Sequence, residues 1–108
     1  SLFAPFVRLA HPEILVPDAA PAEDKVRLSE RLMRFAPTAD VAYRHAAILA
    51  GAGRTIDAIA QLQRAAAVYP SELAVYAERI ERLAAREQGK YRALAIEARA
   101  LLDALNAR

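Results

Sequence analysis

The sequence predicts an all-α fold, with about five helices arranged as antiparallel hairpins behind an extended, proline-rich N-terminal lead-in. Three observations predict it. Alanine fills 27 of the 108 positions against 3 glycines, and alanine loses least of all residues on entering a helix. Apolar residues recur at helical spacing, most cleanly at Tyr91, Leu94, Ala98, Leu101 and Leu105, which places them on one helix face. Proline, glycine and hydroxyl residues punctuate the chain at intervals of about one helix. A chain of this length, 56% hydrophobic and 26% charged, has enough apolar surface for one modest core and lies far from the composition of disordered segments.

The elements follow in order. Residues 1–21 hold four of the six prolines, Pro5, Pro12, Pro17 and Pro21, and each removes a backbone donor and pushes its predecessor out of the α region. This lead-in also carries Phe3, Phe6, Val7, Leu9, Ile14, Leu15 and Val16. These are too many apolar side chains for a free linker, so part of it is expected to lie against the helices. Pro21 suits a first helical position, and Glu23 and Asp24 complement the positive end of a helix dipole, predicting a helix over 22–35. Three later starts pair a hydroxyl cap with an acid: Thr38 with Asp40, Thr55 with Asp57 and Ser71 with Glu72. Gly51 and Gly53, Pro70 and Gly89 supply the stops. Helices are therefore expected near 39–51, 56–69, 72–88 and 90–106, within a helical domain spanning 22–108. Connections of two to four residues make sequential helices antiparallel.

An internal repeat specifies the architecture further. A shift of 33 residues places Arg31 on Arg64, Pro37 on Pro70, Thr38 on Ser71 and Tyr43 on Tyr76. A helix end, a stop, a cap and an aromatic therefore coincide, which points to a tetratricopeptide-like stack of hairpins wound as a right-handed α-α superhelix. With Ala39 as the first position of such a repeat, Gly53, Ala58, Ala65 and Pro70 fall where it wants a turn, two small residues at a helix crossing and a stop. Ala42 and His45 stand where bulkier residues are usual, so one good repeat is flanked by degenerate halves.

Charge and composition exclude several functions. The net charge of +2 combines a lead-in with one Arg and an arginine-rich body, but Glu78, Arg79, Glu81, Arg82, Arg86 and Glu87 alternate in sign as a solvated helix face does. No nucleic-acid partner is expected from such a pattern. The absence of cysteine excludes disulfides and thiolate sites. His11 and His45 have no companions at metal-ligand spacing, so no metal or cofactor is expected and His45 is read as a structural side chain bordering the buried stripe. Gly51-Ala52-Gly53-Arg54 lacks the lysine and spacing of a phosphate-binding loop. The longest uncharged run, from His45 to Gly53, is far short of the ~18 residues that span a bilayer. The chain opens at Ser1 on an apolar stretch, as an excised piece would. The candidate binding residues are Tyr43 and Arg44 from one repeat and Tyr76 and Arg79 from the next, standing in register about one helix diameter (~10 Å) apart on a concave face. The competing reading spends Tyr76 on the core and uses the face of Leu101, Leu102 and Leu105 for a dimer.

The stretch Phe35-Ala36-Pro37-Thr38, with Tyr43-Arg44, Ala46-Ala47, Ala52-Gly53-Arg54 and Arg64-Ala65-Ala66-Ala67-Val68-Tyr69-Pro70-Ser71-Glu72-Leu73, resembles the C-terminal domain of bacterial membrane-bound O-antigen polymerases and ligases, a group that includes pilin O-oligosaccharyltransferases. The lead-in Arg8-Leu9-Ala10-His11-Pro12-Glu13 is similar to the stretch that follows the last membrane helix in that family. The resemblance implies a parent enzyme of the bacterial inner membrane that transfers oligosaccharide from an undecaprenyl-diphosphate carrier to a sugar or protein acceptor. Its catalytic residues lie outside this chain. The domain would then be a non-catalytic helical appendage, on the periplasmic side, that positions an acceptor or partner. The rival reading of the residues is a free-standing adaptor of the tetratricopeptide type without enzymatic activity.

Overall fold

The computed structural model describes residues 20–108, and these residues are all-helical, without a strand among them. Five α-helices follow in order: α1 (Ala22–Phe35), α2 (Ala39–Gly51), α3 (Thr55–Val68), α4 (Leu73–Arg86) and α5 (Gln88–Asn106), with a 3₁₀ turn at Pro70–Glu72. The expected helices are thus all present, while the extended lead-in lies outside the described residues.

The helix ends follow the predicted logic with instructive exceptions. Thr38 caps α2 as expected, its Oγ1 accepting the Val41 amide at 3.2 Å. Gly53 supplies the left-handed residue that closes α2 at φ +80°. Its own amide reaches the Ala50 carbonyl at 3.0 Å and that of Arg54 reaches Leu49 at 2.9 Å, which is the paired bonding of a Schellman turn. That turn displaces the predicted cap of α3. Arg54 both closes α2 and opens α3, accepting from the Ala58 amide at 2.9 Å, so Thr55 is already helical and its hydroxyl caps nothing. Pro21 likewise sits one position earlier than expected, as the extended cap residue whose carbonyl accepts from Asp24 and Lys25 at 3.0 and 3.1 Å. Ser71 lies in the 3₁₀ turn and donates to the Glu72 carboxylate at 2.8 Å rather than capping α4.

Gly89 does not stop α4. The break falls at Glu87, whose amide closes on the Leu83 carbonyl at 2.8 Å while its own carbonyl starts α5 by accepting from Lys90 at 3.2 Å. One residue in a non-helical conformation suffices to reverse the chain, and Gly89 falls inside the first turn of α5.

Helices α2 and α3 pack as a hairpin, as do α4 and α5, and α1 packs on α2. The second hairpin approaches the first through α5, which lies against both α3 and α2 more closely than α4 does. Small residues permit this proximity: Ala46, Ala58, Ala77 and Ala98 are completely buried. Gly51 has a special part in it, because a Cβ there would meet the Tyr91 hydroxyl at 2.7 Å. Into the remaining space fit Tyr43, Leu62, Leu73, Leu94, Val26 and Val41, the large side chains most completely removed from water. Gln61 ties α3 to α2, its Nε2 donating to the Ala42 carbonyl at 3.1 Å.

Ala58, at the crossing of the first hairpin, has no exposed surface. Replacing it by Leu is expected to overpack that contact and cost roughly 1 to 3 kcal/mol. A chemical denaturation midpoint unchanged from that of the parent chain would contradict this packing.

Candidate interaction groove

The candidate site follows from the way α2 is surrounded. Val41, Ala42, Tyr43, His45, Ala46, Leu49 and Ala50 are buried. Apart from Ala39 at its start, what is left forms a stripe at helical spacing, Asp40, Arg44, Ala47, Ile48 and Gly51, every member of which is only half-buried. From Arg44 to Gly51 this stripe is the floor of an open groove of about 770 Å³. Ala20, Lys25, Ser29 and Leu32 wall it on the α1 side, and Leu83, Arg86, Glu87, Lys90 and Tyr91 on the α4–α5 side. Four basic groups, Lys25, Arg44, Arg86 and Lys90, therefore face it against one acid, Glu87.

Of the four residues that the sequence nominated, Arg44 lines this groove. Tyr76 and Arg79 stand on the α4 face that continues to Leu83 and Arg86 at helical spacing. Three of the four, Arg44, Tyr76 and Arg79, meet around Asp40. Arg44 donates through Nε to both carboxylate oxygens at 3.0 Å. The Tyr76 hydroxyl donates to Oδ1 at 2.5 Å, and an Arg79 guanidinium nitrogen lies 3.9 Å from the same oxygen. Arg79 also covers the Tyr76 ring, its Cζ 5.1 Å from the centroid, within the range of cation–π attraction.

Tyr43 requires a correction. Its ring is only 1% exposed, so it cannot touch a partner directly. The ring stacks on Tyr76 with centroids 4.6 Å apart and planes 10° from parallel, because both side chains extend into the gap between α2 and α4. The Tyr43 hydroxyl donates to the Tyr69 carbonyl at 2.6 Å, and the Tyr69 hydroxyl in turn donates to the Pro37 carbonyl at 3.0 Å. Tyr43 therefore belongs to the scaffold.

Burial raises the pKa of both phenols. Desolvation, helped by the charge of Glu72, pushes Tyr43 up to about 12. Desolvation together with the hydrogen bond and charge of Asp40 pushes Tyr76 up to about 12, against the opposing charges of Arg79 and Arg44.

His45 is buried and hydrogen-bonded as a structural residue, with its Nδ1 2.6 Å from the Ser29 hydroxyl. That hydroxyl also contacts the Val26 carbonyl at 3.0 Å. A hydroxyl has one hydrogen, so the two contacts are satisfied together when Ser29 donates to the carbonyl and accepts from Nδ1–H. Burial lowers the His45 pKa, with Glu30 opposing and Arg64 and Arg54 reinforcing. No group of three potential metal ligands occurs among the described residues.

Several of the remaining nominated residues make internal contacts. Glu78 pairs with Arg82 along α4, whereas Glu81 reaches across to Arg99 of α5 at 2.6 Å. Leu101, Leu102 and Leu105 are half-buried against the core. Sequence reasoning missed the central part of Asp40, which it read only as a first-turn acid, and it missed Lys25, Arg86 and Lys90 on the groove walls. The spacing of four between Asp40 and Arg44 was a local signal for their ion pair; the other convergences join residues far apart in the chain.

Fold and site thus define an all-helical domain with an open, cation-rimmed groove, and no helix among the described residues is long and apolar enough to cross a membrane. The chain belongs to the family described as virulence factor membrane-bound polymerase, C-terminal, which matches residues 1–84. No curated protein and no solved structure matches the chain.

Two outcomes test the tyrosine assignment. Tyr43→Ala is expected to lose roughly 3 to 5 kcal/mol of stability, as truncation of a buried aromatic does. Arg79→Ala, at a half-exposed side chain, should change stability by no more than about 1 kcal/mol. Equal denaturation midpoints for the two variants would refute the scaffold role of Tyr43. The phenols also give a pH dependence. Their folded pKa values of about 12 lie above the ordinary 10.0, so the stability they contribute is complete below pH 10 and is lost as pH rises from about 10 through about 12. Tyr76→Phe removes one late ionisation from the phenolate absorbance titration of the folded chain. If the ionisation it removes instead lies at the ordinary value, Tyr76 is not held as described.

Proposed function

We propose that this chain is a non-catalytic helical interaction domain of a membrane-bound polymerase, and that its groove receives an extended polypeptide and so positions an acceptor or partner protein. The observation that carries the reading is the groove itself. It combines an apolar floor of Ala47 and Ile48, a wall from Leu83, and a basic rim, a surface suited to a segment that is apolar along one side and acidic along the other. On this reading the hairpins stack in the tetratricopeptide manner. In its support, equivalent positions of the repeat meet in space: Tyr43 lies against Tyr76, and the Tyr69 side chain joins the loop at Pro70 to the one at Pro37.

Membership of the polymerase family favours an attached domain over a free-standing adaptor. The parent protein, on this proposal, resides in the bacterial inner membrane and transfers oligosaccharide from a lipid diphosphate carrier, with this domain on the periplasmic side. Its chemistry is performed elsewhere in that protein. The contribution of the domain is proximity, since holding an acceptor near a reacting centre lowers the barrier by entropy lost in advance.

In the full-length polymerase, the double replacement of Arg86 and Lys90 by Glu is expected to lower kcat/KM for the acceptor about tenfold, or ~1.4 kcal/mol, with membrane insertion unchanged. The isolated domain should turn over no lipid-linked glycan. Full glycan transfer to every acceptor by the double variant, or turnover by the domain alone, would disprove the positioning role.

A further inference from the structure

We propose that the groove is polarised along α2: its Gly51 end is an anion subsite built by Lys25, Arg86 and Lys90, which takes the acidic end of a polypeptide segment whose remaining residues are apolar. The inference deepens the groove reading and rests on it for the site. It adds where along the segment the acids stand.

The directions of the neighbouring helices define the two ends. Helix α1 returns antiparallel to α2 after a short connection, and Ser29 meets His45 at 2.6 Å near the middle of both. Lys25, one turn before Ser29, therefore lies toward the end of α2, and Leu32 toward its start. Helix α4 passes in the opposite sense to α1. Its Tyr76 reaches Asp40 at the start of α2, while Arg86, further along, lines the groove. Helix α5 closes the far end, where the Tyr91 hydroxyl stands 2.7 Å from the place of a Gly51 Cβ and Lys90 precedes it in the chain.

The cations at these ends differ in what they already hold. Arg44 is committed to Asp40, donating through Nε to both carboxylate oxygens at 3.0 Å. Arg27, Arg54, Arg82 and Arg99, outside the groove, each have an acidic partner as well. The side chains of Lys25, Arg86 and Lys90 form no ion pair or hydrogen bond with a described residue. They come from α1, α4 and α5, and only Glu87 opposes them. An anion among them gains attraction to each and relieves their mutual repulsion. The rest of the groove offers Leu32, Val41, Ala47, Ile48 and Leu83. A polyanion without apolar groups gains nothing from that surface, whereas a polypeptide that changes from acidic to apolar along its length matches both parts. Such a groove also sets the direction in which the segment lies.

The probe is a synthetic peptide of four glutamates followed by Leu-Pro-Ala-Leu, with blocked ends and a nitroxide at either its acidic or its apolar terminus. In the ¹⁵N-labelled 108-residue chain, the acidic-end label is expected to broaden the amide signals of Gly51 and Lys90 several-fold more than those of Leu32 and Val41, and the apolar-end label to do the reverse. Equal or inverted patterns within the groove would overturn the polarity and leave the groove reading standing. Broadening only outside the groove, or no saturable binding, would overturn both. Lys25→Gln with Lys90→Gln is expected to weaken the peptide about tenfold. Arg31→Gln with Arg92→Gln makes the same charge change at exposed positions outside the groove and should weaken it no more than about twofold. Equal losses would reduce the effect to net charge and overturn the subsite. Tetragalacturonate bound at the same residues as tightly as the peptide would assign the subsite to anionic glycan and overturn the polypeptide.

Discussion

The ring of Tyr43 is the constraint on which the rest of the domain depends. It is nearly inaccessible, yet a phenol carries a polar atom that must be satisfied in the interior. The Tyr69 carbonyl at the end of α3 satisfies it, which fixes where α3 may end relative to α2. The face of the ring then receives Tyr76, fixing the rotation of α4. With Tyr76 pinned there, its hydroxyl falls on Asp40 and the next turns of the same face carry Leu83 and Arg86 to the groove. A buried aromatic thus orients a charged surface that it never touches.

Alanine governs the second level of organisation. Helices whose contacts are made by Ala46, Ala58, Ala65, Ala77 and Ala98 approach closely, leaving little volume for large side chains and making each of the few present consequential. Attraction is then distributed over many short backbone and methyl contacts rather than a few bulky anchors. The same logic explains the glycine at position 51. The Tyr91 hydroxyl occupies the space a side chain would need, so a Cβ at that position would have to displace the tip of the Tyr91 ring. Helix α5 lies beyond the matched residues 1–84, yet Leu94 and Ala98 are as buried as any residue of the core. The physical unit therefore extends past the matched one.

Helix positions were legible because local chemistry writes them: an acid and a hydroxyl at one end, glycine or proline at the other. Two of the misread ends share a cause. At Arg54 and Glu87 a single residue closes one helix and opens the next through backbone bonds, so the side chains that usually announce a boundary, Thr55 and Gly89, are not used for it. The site was legible in part. The shift of 33 residues paired Tyr43 with Tyr76, and the two rings stack, but whether a tyrosine faces the core or a groove depends on the rotation of its helix against non-local neighbours. Asp40 escaped notice for the same reason: its partners Tyr76 and Arg79 lie on another helix, and only Arg44 is within local reach.

The groove itself follows from counting the sides of one helix. Helix α2 is flanked by α1, α3 and α5 and is joined to α4 through the tyrosines. A cylinder some 10 Å across has room for few parallel neighbours, and these leave the stripe from Asp40 to Gly51. Walls raised by α1 and by the α4–α5 turn flank that stripe, with Ala47 and Ile48 on the floor and basic side chains at the rim. Shape comes from the crowding of α2, orientation of the charged wall from Tyr43, and both trace to residues that are themselves hidden from any partner.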